Sequence, residues 1–223
     1  MLYRHKRTSK QSGFTLVEMA IVLVIIGLLI GGILKGQTMI GNAKVKALAQ
    51  DFKAVATALN AYQDKYRALP GDDPNVIANL GASATPADVA TAGNGLIETV
   101  TWVGASVPVA GNESSLFWEH IRRAGLITGS ANNGQGTNAS GGRLGITTNT
   151  ERPQTPAGVE GTFIICSGGI TGSLARQLDI AMDDGDATTG SVFAAVGAEI
   201  ASAASGTLAA YADGIVYTVC QAF

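Results

Sequence analysis

Few side chains in this chain have the type and spacing to do chemistry. Asp179, Asp183, Asp184 and Asp186 crowd into one short stretch, and oxygen ligands at that density suit Ca²⁺. The spacing does not fit an EF-hand. With Gly185 as the loop glycine, Ile180 and Met182 fall at ligand positions. A solvated acidic turn is the other reading. Cys166 and Cys220 are the only cysteines and do not form a C-x-x-C pair. His5 and His120 are the only histidines, too few for an ordinary zinc site. His120, on a predicted helix, is expected to be a packing or surface group. No G-x-S-x-G, Walker A or H-E-x-x-H pattern occurs. Residues 134–139 read G-x-G-x-x-A, but no strand pattern precedes them. The chain is therefore not expected to be an enzyme, and no cofactor is expected beyond the calcium option. One further group stands out: Glu18, the single charge in the run from Phe14 to Leu34.

That run must be a helix. Its 21 residues span about 31 Å at about 1.5 Å per residue, the thickness of a bilayer core. Before it, residues 1–13 hold Arg4, Lys6, Arg7 and Lys10 and no acid. By the positive-inside rule this flank stays cytoplasmic and everything beyond Lys35 is translocated. A cleaved secretory signal would have a shorter apolar core and a small-residue cleavage site, and GGILKGQTMIG is a poor one. A plain single-pass anchor needs no carboxylate, which costs about 2.5–3.5 kcal/mol at the centre of a bilayer and less near its edge.

The whole-chain charge of −2 hides this division. Without residues 1–13 the chain carries 11 basic and 17 acidic residues, or −6. That balance excludes a nucleic-acid binder held by a basic face. The hydrophobic fraction of 46% excludes a wholly disordered chain.

The basic leader, Gly13-Phe14-Thr15-Leu16-Val17-Glu18 and the apolar helix together resemble the class III signal of type IV pilins and type II secretion pseudopilins. The resemblance covers about the first 55 residues. It implies cleavage between Gly13 and Phe14 by a membrane prepilin peptidase, followed by N-methylation of Phe14. It also implies that Glu18 pairs with the N-terminal amine of a neighbouring subunit and sets the register of assembly. The implied partners are the peptidase, other pilin subunits, an inner-membrane assembly platform and, before assembly, lipid. The implied location is the bacterial inner membrane, with a cytoplasmic N-terminus and a periplasmic head, and then a filament. Many type IVa pilins place a helix-kinking proline just past the membrane segment; this chain has Lys35 there. Gly27, Gly31, Gly32 and Gly36 cluster in the same region, each costing about 1 kcal/mol of helix stability relative to alanine. This stretch is expected to loosen in a filament.

Beyond Gly41, Val45, Leu48, Phe52, Val55, Leu59, Tyr62 and Tyr66 recur at intervals of three and four, which predicts a continued amphipathic helix over 38–67. Pro70-Gly71-Asp72-Asp73-Pro74 ends it. The whole helix, 14–67, would be about 80 Å long at about 1.5 Å per residue. The stripe is expected to pack on the chain's own head, residues 68–223; a coiled coil with another chain is the alternative. Within the head, helices are predicted over 114–127, capped by Ser114 or Ser115, and over 173–182. Leu116, Phe117 and Ile121 should face the core. Strands are predicted over 162–167, 191–196 and 214–222, forming a small antiparallel sheet. Residues 128–150 are expected to be a surface loop. Cys166 and Cys220 lie on predicted strands in the translocated part, where a disulfide is expected; two free buried thiols are the alternative. A C-terminal disulfide loop is also what the resemblance implies.

The expected fold is thus α+β and pilin-like, a long N-terminal helix packed on an antiparallel sheet. The expected function is a major or minor pilin of a type IV pilus-like filament. A secretion pseudopilin is the alternative, and a membrane-anchored periplasmic binding or enzymatic domain is the remote one. The motifs Leu-Pro-Gly-Asp-Asp-Pro, Leu-Phe-Trp-Glu-His and Asp-Asp-Gly…Thr-Gly also resemble larger pilin-like proteins.

Overall fold

The computed structural model describes residues 13–98, 102–148, 156, 159, 161–197 and 206–223. The chain divides into two units, Met1–Asn42 and Ala43–Phe223.

The first unit holds the start of helix α1 (Leu16–Tyr66). Its side chains from Leu16 to Leu34 are exposed all round the helix. Helix hydrogen bonding is unbroken through Gly27, Gly31, Gly32 and Gly36, so loosening there is a question about a packed array.

In the second unit α1 becomes amphipathic. Val45, Leu48, Phe52, Val55, Leu59 and Tyr62 are buried, while Tyr66 at the end of the stripe is half-buried. Against α1 lies an antiparallel sheet of β1 (Gly136–Thr137), β2 (Arg143–Thr147), β3 (Ile164–Thr171), β4 (Val192–Val196) and β5 (Val216–Ala222), in the order β1-β2-β3-β5-β4. The fold is α+β and pilin-like, as expected. Alternation along the strands divides the sheet's side chains between two clusters. Ile165, Ile170, Val192, Ala194, Tyr217 and Val219 join the α1 stripe. Ile164, Cys166, Phe193, Cys220 and Ala222 gather with Trp102 in the other cluster.

Among the described residues the head holds three further helices: α2 (Val76–Leu80), α3 (Glu113–Arg123) and α4 (Gly172–Met182). The cap of α3 is Asn112, not Ser114 or Ser115; its side chain accepts from Ser115 N at 3.0 Å. Leu116, Phe117 and Ile121 are fully buried.

The surface loop expected over 128–150 is corrected. It contains β1 and β2, and Leu144–Thr148 is buried. Only Leu144 and Ile146 carry an apolar signal there. Between them Gly145 leaves room for Trp102: a Cβ on Gly145 would run into the Trp102 carbonyl oxygen. A strand that must admit a neighbouring backbone at a glycine loses the β-branched signature by which strands are recognised.

Candidate processing and assembly site

The helix start is built by four consecutive residues. Thr15 lies just before α1, and its carbonyl accepts the first helical bond, from Met19 N at 3.3 Å. Its hydroxyl accepts from Glu18 N at 3.3 Å. Glu18 reaches back, its Oε2 accepting from both Thr15 N and Thr15 Oγ1 at 2.8 Å. This reciprocal pair is a capping box, which satisfies donors that a helix N-terminus otherwise leaves open. It sets the helix start one residue after Thr15 and leaves Gly13 and Phe14 as non-helical chain ahead of it. Phe14 is 84% exposed. With Glu18, Met19, Ile21 and Val22 it lines a shallow recess on the helix surface.

The geometry adds a second task to the one expected of Glu18. One carboxylate oxygen caps its own helix; Oε1 has no partner among the described residues. A carboxylate has lone pairs for several donors, so capping and pairing with a neighbour's amine are compatible.

The other sequence-marked residues lie in the head and act as struts. Gly71 N donates to His120 Nδ1 at 2.9 Å, and His120 Nε2 bonds the Thr85 carbonyl at 3.0 Å. An acceptor Nδ1 and a donor Nε2 describe a neutral imidazole. Burial pushes the His120 pKa below its ordinary value. Asp73 accepts from Tyr62 Oη at 2.7 Å, Asn75 N at 2.8 Å and Asn79 Nδ2 at 2.8 Å. Asp72 accepts from Gly93 N at 2.5 Å and Gly95 N at 2.8 Å; burial pushes its carboxyl upward against those bonds. Asp72 also lines a cleft of about 570 Å³ with Tyr66, Arg67 and Phe163.

Asp179, Asp183 and Asp184 bring carboxylate oxygens within 4.8 Å of one another, and Asp186 is not in that group. Asp179 is buried, accepting from Tyr211 Oη at 2.6 Å and Gly185 N at 3.1 Å. Asp183 accepts from Ser191 N at 2.5 Å and Val192 N at 3.0 Å, and Asp184 from Thr189 Oγ1 at 2.6 Å. Asp186 accepts from Thr188 N at 2.9 Å. These bonds hold an exposed acidic turn in one shape.

Cys166 and Cys220 face each other across β3 and β5 and form a disulfide.

Residues 8–34 match the model of the prokaryotic N-terminal methylation motif. The segment is a class III signal of the type IV pilin and pseudopilin kind. Together with the α+β head it supports a type IV pilin- or pseudopilin-like protein, and such a signal implies processing by prepilin peptidase and assembly with other pilin subunits. No curated protein matches the chain.

Proposed function

We propose that the chain is a structural subunit, major or minor, of a type IV pilus-like filament. Prepilin peptidase cuts between Gly13 and Phe14 and methylates Phe14. The subunit waits in the inner membrane with its head in the periplasm, and an assembly platform lifts it into a helical array. The observation that carries this reading is the contrast within α1. None of its most apolar window is buried, whereas the stripe from Val45 to Tyr62 belongs to the head's own core. The N-terminal segment therefore needs a partner, first lipid and then other copies of itself. The function is assembly without turnover, which the hydrogen-bonded roles of Asp72, Asp73, His120 and Asp179 inside the head support.

N-terminal sequencing of the mature protein is expected to begin at methyl-Phe14; a mature chain beginning at Met1 overturns the proposal.

A further inference from the structure

Three arginines of the head are used internally, whereas two lysines of α1 are exposed without a partner among the described residues. Arg123 Nε pairs with Glu119 at 2.6 Å. Arg122 bonds the carbonyl oxygens of Asn133 and Gln135, and Arg176 that of Tyr211 at 2.6 Å. Lys46 and Lys53, in contrast, are exposed and have no hydrogen-bond or carboxylate partner among the described residues. Seven residues apart, they stand on one face of α1, about 10 Å from each other along the helix. The buried stripe occupies the opposite face. The acids show the reverse arrangement. Asp183, Asp184 and Asp186 are exposed, held by the hydrogen bonds of their turn, and have no cationic partner among the described residues.

We propose that the Lys46–Lys53 face of α1 docks the acidic turn Asp183–Asp186 of a second copy of this chain. The inference rests on the filament reading above. Mature subunits of net charge −6 repel one another unless cations are set against acids. The lysine face and the turn are complementary exposed charges without an ion-pair partner among the described residues. A turn already rigid loses little freedom on docking. Such rim pairs fix register and partner choice more than raw affinity.

The test is carbodiimide cross-linking of intact filaments in chelator, read by mass spectrometry. Peptides joining Lys46 or Lys53 to Asp183, Asp184 or Asp186 are expected in filaments and not in detergent-held monomer. Filaments that cross-link elsewhere but never at these pairs overturn the inference and leave the filament reading standing. Processed wild-type protein that never assembles overturns both. As a second measurement, the double variant Lys46→Glu/Lys53→Glu, on an exposed helix face, is expected to lower filament yield about tenfold or more while processed subunit accumulates. Adding Asp184→Lys and Asp186→Lys should restore yield. Unchanged yield in the double variant overturns the docking.

Discussion

At the start of α1, Thr15 and Glu18 form a capping box, and substitutions can separate that role from the assembly role proposed for Glu18. Glu18→Gln keeps an oxygen acceptor for Thr15 N but removes the charge. It is expected to be processed normally and to assemble poorly, read as mature subunit on an immunoblot with little protein in the sheared-filament fraction. Thr15→Ala removes the hydroxyl and costs about 1 kcal/mol at the helix start, so it should reduce filament yield less than Glu18→Gln does. The pattern Thr-x-x-Glu is legible in the sequence as a capping box, but within the class III signal the same glutamate reads first as an assembly charge. His120 carries a pH signature. Its folded pKa lies below the unfolded value of about 6.5. The unfolded chain therefore binds the proton first, and stability is lost as pH falls from about 6.5 toward the folded value. Asp72, Glu113 and Asp179, raised by burial, act in the opposite sense. Their contribution to stability falls as pH rises through the folded carboxyl values. Thermal melts of wild type and His120→Gln between about pH 5 and 7 should isolate the histidine: the variant melts lower, with a flatter slope. Its burial against the Leu69–Pro74 turn was not legible, because the contact joins residues 49 apart.

At the scale of elements, periodicity carried furthest where one side of an element is apolar. The stripe on α1 is clear because the core takes every third or fourth residue of the helix, whereas β3, β4 and β5, buried on both faces, are legible from β-branched and aromatic runs between Gly and Asp breaks. Both signals failed at β1 and β2, where Gly136 packs on the Trp118 ring and Gly145 on Trp102. Two strands defined by what approaches them read as a polar loop. Gly145→Ala is accordingly expected to destabilise the head by about 1–3 kcal/mol through overpacking, measured by urea unfolding of the mature protein in detergent. The double variant Cys166→Ser/Cys220→Ser opens a link of sequence separation 54. It should lose about 4 kcal/mol on the chain-entropy account, seen as a lower urea midpoint. In a filament, the glycine cluster of α1 is expected to break helical hydrogen bonding between residues 27 and 36. A filament map with unbroken helix there would refute this.

Across the whole molecule, charge separates by function. The leader holds four cations that are expected to orient the chain, Lys46 and Lys53 of α1 are exposed without a carboxylate partner among the described residues, and most acids lie on the head. Replacing Arg4, Lys6, Arg7 and Lys10 with glutamine is expected to lower the fraction of subunits whose head is digested by protease added to spheroplasts, because the orientation signal is lost. The apolar first part of α1 was legible from hydropathy alone; the division between Asn42 and Ala43, inside the helix, was not. Nor was the strand order, since the sequence does not say which strand lies beside which.

That order bears on how the head comes to exist. In β1-β2-β3-β5-β4 the last strand in chain order stands inside the sheet, between β3 and β4. A chain crossing the membrane from its anchored end presents β5 after every other strand. Until β5 arrives, β3 and β4 each lack a neighbour and Cys166 has no thiol to meet. On the proposed topology, export must finish before the sheet can close, and oxidation of Cys166 and Cys220 would mark a subunit whose entire head has left the cytoplasm.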